Sequence, residues 1–340
     1  MAVDSGPRTK VLNMTDDVLG PDWVARTLPL APDGVGRTHA RTSADAPDPV
    51  ATLVHRRDAG SRDRAVLYVH GFTDYFFQAE HARRWTDEGY DFYAVDLRDY
   101  GRSIRPGRTP GWVTDLATYD EDLGRALDAV RAQDYQQVVL LAHSTGGLIT
   151  PLYLDRHPGA VDALVLNSPW LDLNSSWVNR VLTTRVLDAV GLWVPRLRVS
   201  TLGEGYGRSL HTSTGGDWDY DLAWKPIYDV PVYAAWLRAI RRGHARIARG
   251  LDLDVPVLVC TSGRSGHPTR PSEKDLAEAD CVLNVAHMHA RGPLLGADVT
   301  MATIDGGRHD LALSSPRARR AYEEAVFEWL GRRLPPGPSR

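Results

Sequence analysis

Short apolar runs alternate with helical patterns along most of this chain, and no other feature constrains the fold as strongly. Ala65–Val69 and Val138–Ala142 are continuous apolar runs, which is typical of strands buried on both faces of a parallel sheet. Further strands are predicted at Val50–His55, Phe92–Val95, Ala163–Leu166, Val257–Cys260 and Val299–Ile304. Helices are predicted at Phe76–Asp87, Leu116–Val130, Thr145–His157 and Pro316–Leu334. The alternation predicts an α/β fold, with a mostly parallel sheet covered by helices on both faces.

One segment interrupts this pattern. Residues 171–250 lie between two predicted core strands and are too many for a simple loop. They include five of the ten Trp of the chain and two helical stretches, Trp177–Val190 and Val232–Ala248. We expect a helical cap here, inserted into a core made of residues 23–170 and 251–334. Residues 1–22 are expected to be a flexible lead-in, and residues 335–340 a flexible tail.

Composition excludes several classes of protein. The 340 residues carry a formal net charge of −3, so there is no net basic field for a nucleic acid. Two cysteines cannot form a disulfide framework, and the alternating His287-Met288-His289 is read as structural rather than as a metal site. The chain contains no run of about 18 apolar residues, so no membrane span is predicted. No secretory signal is visible either. We expect a cytoplasmic protein that needs neither a metal nor a cofactor.

A serine lies between the apolar run Val138–Ala142 and the predicted helix that follows it. The segment Ala142–Gly146 reads AHSTG, which fits a nucleophile elbow of the form small-x-Ser-x-Gly. Because this turn is sharp, bulky side chains two residues before or after Ser144 would collide. The start of the helix also favours negative charge. We therefore expect Ser144 to be a catalytic nucleophile.

A serine hydroxyl is a weak nucleophile and needs a base, for which His309 is the best candidate. It follows the last predicted strand in a Gly-Gly loop that can carry it to the carboxyl edge of the sheet. In enzymes with such an elbow, the chain order is serine, acid, histidine. Asp280 is the expected acid, and Asp275 and Glu278 are the alternatives.

Two backbone N–H groups are needed to hold the oxyanion that forms when the serine attacks a carbonyl carbon. Thr145 directly follows the expected nucleophile and should supply one of them. Phe72 should supply the other, because it follows the strand end at His70-Gly71.

Four short segments together resemble the α/β-hydrolase superfamily. They are His70–Phe72, Asp96–Ser103, His143–Gly147 and Gly307–His309. Within the superfamily, the chain resembles the monoacylglycerol lipase/lysophospholipase-like group, also called serine aminopeptidase S33-like, over about Val50–Leu330. The resemblance implies an eight-stranded-type sheet and a cap inserted after the sixth strand. Asp99 stands where the loop of this group usually has Gly.

The resemblance also implies a Ser–Asp–His triad, here Ser144, Asp280 and His309, with the Phe72 and Thr145 amides as oxyanion donors. We expect a cofactor-independent serine hydrolase that cleaves carboxylic esters of small apolar acyl groups through an acyl-enzyme. The residues expected to line the substrate pocket are His143, Tyr75, Trp170 and Trp177.

Other functions stay open at this point. An amidase or peptidase of the S33 type could use Asp217 and Asp219 of the cap to bind a free amine. Acyl transfer to an acceptor other than water, a peroxidase-type variant and a non-catalytic small-molecule binder fit the same residues. A dehalogenase or an epoxide hydrolase is disfavoured, because either would need Asp at position 144. The substrate and the oligomeric state are not set by the sequence.

Overall fold

Within the described residues, a nine-stranded sheet forms the centre of the protein. The computed structural model describes residues 14–33, 47–173, 191–267 and 269–335. The strands before the cap are β1 (Met14–Asp17), β2 (Gly20–Pro29), β3 (Val50–Arg56), β4 (Arg64–Val69), β5 (Tyr90–Asp96), β6 (Gln137–His143) and β7 (Ala163–Asn167). The cap contains β8 (Arg198–Thr201) and β9 (Pro231–Tyr233), and the sheet is completed by β10 (Val257–Ser262) and β11 (Val299–Ile304).

The strand order of the sheet is β1-β2-β3-β5-β4-β6-β7-β10-β11. Strands β4, β5, β6, β7, β10 and β11 are mutually parallel, whereas β1, β2 and β3 pair antiparallel on one side. This confirms the mostly parallel sheet, and β1 adds one edge strand to the expected eight. Because the central strands are parallel, the loops at their carboxyl ends meet at one edge.

Helices cover both faces of the sheet. They are α1 (Ala79–Asp87), α2 (Asp120–Arg131), α3 (Gly146–Arg156), α4 (Gly205–Leu210), α5 (Ala234–Ala248), α6 (Glu273–Glu278), α7 (Val285–Arg291) and α8 (Pro316–Arg333). On one face, Leu127, Leu148 and Ile240 of α2, α3 and α5 share an apolar cluster with the strands. On the other, Trp85 of α1 and Tyr322 of α8 share a second cluster. None of the helices in the described ranges has the length and apolar character that a membrane crossing requires.

The prediction that residues 1–22 form a flexible lead-in is wrong for residues 14–22. Met14–Asp17 and the beginning of Gly20–Pro29 are strands of the sheet. Asp17, at the end of β1, forms an ion pair in which Arg102 donates to both of its carboxylate oxygens, at 2.5 and 2.8 Å. Residues 1–13 and 336–340 lie outside the described residues.

The cap combines helices with a small antiparallel sheet. The predicted helix Val232–Ala248 is found as α5, which begins two residues later at Ala234. The pair β8–β9 was not expected, since both strands are very short. The predicted helix Trp177–Val190 lies outside the described residues.

Candidate active site

Ser144 lies in a sharp turn at the carboxyl end of β6. It has a positive φ of 52°, a conformation that L-residues rarely adopt. Two main-chain hydrogen bonds hold the turn, because the Ser144 N–H donates to Asn167 O at 3.1 Å and the Trp170 N–H donates to Ser144 O at 2.9 Å. The strained conformation is therefore fixed by β7 and by the loop after it.

Small residues after Ser144 let α3 start against the neighbouring backbone. A Cβ on Gly146 would lie 2.5 Å from His70 O, and one on Gly147 would lie 2.6 Å from Pro169 Cβ. Neither neighbour is the free end of a flexible side chain, so larger residues would push the helix away. This close approach places the first turn of α3 beside the end of β4.

Ser144, His309 and Asp280 form a hydrogen-bonded chain. His309 Nε2 lies 3.0 Å from Ser144 Oγ, and His309 Nδ1 lies 2.9 Å from Asp280 Oδ2. The Asp280 carboxylate accepts a hydrogen bond from the His309 Nδ1–H, which leaves Nε2 free to accept the hydroxyl proton of the serine. All three side chains are largely removed from water. The structure thus brings together three residues that are far apart in the sequence.

The second oxygen of Asp280 is also fixed. Oδ1 accepts from the N–H groups of Val282 and Leu283 at 2.8 and 2.7 Å. Asp275, the alternative acid, instead pairs with Arg264 at 2.5 Å and caps the start of α6 through Ser272. The hydrogen bond from Arg264 lowers the pKa of Asp275 to about 2. Geometry therefore favours Asp280 over Asp275 as the partner of His309.

The loop with Phe72 runs directly beside the nucleophile. A Cβ on Gly71 would lie 3.1 Å from Ser144 Cβ, so only glycine leaves room here. His70 fixes the loop, because its Nδ1 lies 2.7 Å from Gly71 O and its Nε2 accepts from the Leu97 N–H at 3.1 Å. In the part of the chain that the structure describes, the Phe72 and Thr145 amides donate to no backbone carbonyl.

The residues expected to line the pocket have different surroundings. The His143 ring lies 4.9 Å from the His309 ring, and burial lowers the pKa of His143. The Tyr75 hydroxyl accepts from the Asp221 N–H at 2.7 Å, so it ties the cap to the core. The Trp170 N–H donates to Ser144 O, so the backbone of Trp170 adjoins the candidate nucleophile. Trp177 lies outside the described residues.

An aromatic group from the cap covers the loop beside Ser144. The ring of Trp236, on α5, lies 4.0 Å from the Phe72 ring and 5.8 Å from the Trp170 ring. Trp236 itself is buried. The three rings form an apolar wall, in which Phe72 and Trp170 belong to the two segments whose backbone adjoins Ser144. Trp236 was not singled out as a pocket residue from the sequence.

A polar network that was not predicted from the sequence surrounds Asp310, the residue after His309. Asp310 accepts from Asn167 Nδ2 at 2.8 Å and from Gln78 Nε2 at 3.1 Å, and its N–H donates to the Tyr206 hydroxyl at 2.9 Å. The Tyr206 ring packs edge-on against the His309 ring, with centroids 5.5 Å apart. The one signal for this network in the sequence was Asn167, a polar residue at the end of an apolar strand.

Comparisons with known proteins identify the family of this chain. A family model described as "Serine aminopeptidase, S33" matches residues 60–314. Lysophospholipase L2 of Escherichia coli strain K12 is 34% identical over 126 residues, or 36% of this chain and 37% of that protein. The monoacylglycerol lipase of Mycolicibacterium smegmatis is 32% identical over 140 residues, or 40% of this chain and 48% of that protein. The matches thus span less than half of each of these relatives.

Solved structures share the architecture over a longer part of the chain. A soluble variant of monoglyceride lipase from Saccharomyces cerevisiae has a TM-score of 0.63 at 16% identity, over 96% of this chain and 95% of that one. The monoacylglycerol lipase of Paleococcus ferrophilus has a TM-score of 0.54 at 17% identity, over 78% of this chain and 93% of that one. The fold is that of the α/β-hydrolases, and the family match over most of the chain shows that this protein belongs to the serine aminopeptidase S33 family.

Proposed function

We propose that this protein is a serine hydrolase that cleaves carboxylic esters of apolar acyl groups. The observation that carries the proposal is the chain of contacts from Ser144 Oγ to His309 Nε2 and from His309 Nδ1 to Asp280. A hydroxyl, an imidazole and a carboxylate in this order can generate a nucleophile without a metal or a cofactor.

The reaction would proceed through an acyl-enzyme. Ser144 Oγ attacks the ester carbonyl carbon while its proton moves to His309 Nε2, and the carbonyl oxygen becomes an oxyanion. The amides of Phe72 and Thr145 would donate to that oxygen. Collapse of the intermediate expels the alcohol, which takes the proton from His309. Water then attacks the acyl-enzyme with His309 as its base, and the carboxylic acid leaves as Oγ regains a proton.

Asp280 would act on the imidazole rather than on the substrate. Its carboxylate holds the proton on Nδ1 and stabilises the imidazolium that forms when Nε2 takes the serine proton. The backbone donors on Oδ1 keep the carboxylate in this orientation.

The apolar wall next to Ser144 supports an ester of an apolar acid. Phe72, Trp170 and Trp236 present rings rather than charged groups at this point. The names of the two curated relatives, a lysophospholipase and a monoacylglycerol lipase, point to the same class of substrate. The amidase alternative has less support, because the proposed amine anchor Asp219 has a side chain that is 88% exposed.

The test uses p-nitrophenyl acetate, butyrate and octanoate with the purified protein. Ser144→Ala should lower kcat by at least about 10³-fold on every ester, since the nucleophile is lost. Ser168→Ala is a matched control, because Ser168 is also buried at the carboxyl edge and also has a positive φ. It should stay within a few-fold of the wild type. Undiminished hydrolysis by Ser144→Ala would exclude the proposal.

Labelling with a fluorophosphonate tests the chemistry independently. The wild-type protein should gain one adduct on the peptide that contains Ser144, and the adduct should be lost in His309→Ala. Product analysis with added alcohols then separates hydrolysis from acyl transfer, because an acyl acceptor other than water would yield a new ester.

A further inference from the structure

One ion pair links the cap to the loop that follows Phe72. Lys225 Nζ donates to Asp74 Oδ1 at 2.5 Å. The Asp74 side chain is 2% exposed and that of Lys225 15%, so both charges are largely removed from water. Across the described ranges, Lys225 is the only side chain that forms an ion pair with Asp74.

The other oxygen of Asp74 faces the site. Oδ2 has no hydrogen-bond partner within the described residues. It lies 3.7 Å from the point where a Cβ on Gly71 would sit, and Ser144 Cβ lies 3.1 Å from the same point. The unpaired carboxylate oxygen and the nucleophile therefore flank the same glycine, next to the amide proposed to hold the oxyanion.

No other cation compensates this carboxylate among the groups packed around Gly71. Burial lowers the pKa of His143 and also that of His70, whose Nε2 accepts a main-chain N–H. Both rings are therefore neutral near pH 7. Burial by itself would raise the pKa of Asp74, but the charge of Lys225 is the largest opposing effect, and the pKa lies below its usual value. Asp74 is thus an anion whose charge is balanced by Lys225.

Two aromatic rings also lie near the ammonium of Lys225. Its Nζ lies 5.5 Å from the centre of the Phe77 ring and 5.6 Å from that of the Tyr220 ring. Aromatic faces attract a cation at such distances. One of these rings belongs to the core and the other to the cap, so the position of Lys225 depends on both.

We propose that Lys225 is a positioning residue for ester hydrolysis: it neutralises Asp74 beside the place where the oxyanion forms, and so makes catalysis depend on the cap. The inference rests on the proposed function. An uncompensated carboxylate in a poorly hydrated site would oppose the negative charge that develops in the transition state. The ester in its ground state is neutral, so the opposition falls on kcat and not on KM.

The experiment compares Lys225→Met, Asp74→Asn and the double variant on p-nitrophenyl butyrate. Lys225→Met should lower kcat on the order of ten- to a hundredfold at nearly constant KM, because it leaves an unpaired anion near the oxyanion. Asp74→Asn and the double variant should both turn over at least about ten times faster than Lys225→Met, because neither contains that anion. Lys225→Arg, which keeps the charge, should recover most of the loss.

Lys274→Met is the matched control, since Lys274 is an exposed lysine on α6. It should match the wild type. Far-UV circular dichroism and thermal unfolding are recorded for every variant. If Lys225→Met does not fold, the kcat of Asp74→Asn decides alone. If the ion pair only latches the cap, Asp74→Asn should have a strongly lowered kcat. If Lys225 balances the charge of Asp74, Asp74→Asn should keep a high kcat.

If the wild-type protein is active, two results would overturn this inference and leave the proposed function standing. One is a Lys225→Met variant with wild-type kcat, and the other is an Asp74→Asn variant as slow as Lys225→Met. A wild-type protein without Ser144-dependent ester hydrolysis would instead overturn the proposed function, and the inference with it.

Discussion

At the residue scale, hydrogen bonds separate the two carboxylates that could assist His309. Asp280 is fully buried, holds His309 Nδ1 with one oxygen and accepts two main-chain N–H groups with the other. Asp275 is engaged with Arg264 and with the start of α6. From the sequence, Asp280 is the expected acid, but Asp275 and Glu278 stay open as alternatives because all three residues lie between β10 and His309.

Exchange of each carboxylate for its amide tests this assignment. Asp280→Asn should lower kcat by up to about 10⁴-fold, since an amide can hold the imidazole in the wrong tautomer. Asp275→Asn removes an equal charge nearby and should leave kcat within a few-fold of the wild type, with a small loss of stability at α6. Steady-state kinetics on one ester decides, and a large loss in Asp275→Asn with little in Asp280→Asn would reverse the assignment.

His244 should make the stability of the folded chain depend on pH. It lies on α5, and its Nε2 is 2.8 Å from Trp170 O. Burial lowers the pKa of His244 to about 4, whereas it is about 6.5 in the unfolded chain. The unfolded state therefore binds the proton more tightly, and stability falls as the pH drops from about 6.5 towards 4.

The expected loss between pH 7 and pH 5 is about 2 kcal/mol in the free energy of unfolding. Urea titrations at the two pH values measure it. His244→Gln keeps an N–H donor for Trp170 O but does not titrate, so the loss should shrink by that amount. An equal loss in this variant would mean that other groups cause the pH dependence.

Asp99 stands where the loop of the resembled group usually has Gly, but the turn keeps a conformation that glycine favours. Asp99 has a positive φ of 63°, the left-handed conformation that favours glycine. Arg108 holds its carboxylate with two hydrogen bonds, at 2.6 and 2.9 Å. The ion pair compensates for the strain, so the departure leaves the turn intact.

At the scale of elements, β1 depends on one buried ion pair more than on its own sequence. Asp17 is almost fully buried against Arg102, which also donates to Asp96 on β5. Asp17→Asn should therefore lower the free energy of unfolding by about 3 kcal/mol. Asp16→Asn is the matched control, because Asp16 pairs with Arg57 at the surface and should contribute less than about 1 kcal/mol. Equal effects of the two substitutions would contradict the anchoring role of Asp17.

The contrast between β1 and β4 shows what the sequence could predict. Ala65–Val69 is an apolar run buried on both faces, so its own residues predict a strand, and the structure has β4 there. β1 reads MTDD and three of its four residues are exposed, so no periodicity predicts it. Its partner Arg102 is 85 positions away, and only the fold brings the two together.

The same distinction applies to the site. The elbow and the loop after β4 are local, so Ser144, Thr145 and Phe72 can be selected from short segments. Asp310 and Tyr206 cannot, because their partners come from other elements and from the cap. Local motifs therefore predict which groups could react, whereas the residues that orient them depend on the tertiary structure.

At the scale of the whole molecule, the cap and the sheet share one core. Trp236, Leu237 and Ile240 of α5 belong to the same apolar cluster as the strands and α2. At Gly243, α5 comes so near the core that an added Cβ would lie 3.0 Å from Leu116 Cδ1 and 3.1 Å from Leu152 Cδ1. A cap packed in this way should not unfold separately from the sheet.

Substitution of a glycine by valine in two helices tests this directly. Gly243→Val should lower the free energy of unfolding by about 1–3 kcal/mol, because the added methyl groups overpack the contact between α5 and α3. Gly331→Val is the control, since a Cβ on Gly331 of α8 meets no atom within 4 Å and valine is a slightly better helix former than glycine.

Thermal unfolding is followed by tryptophan fluorescence and by far-UV circular dichroism. Both probes should shift together in Gly243→Val, because the cap and the sheet unfold in one transition. A separate early transition in fluorescence alone would show that the cap unfolds on its own, and the dependence of catalysis on Lys225 would then be lost below the melting temperature of the sheet.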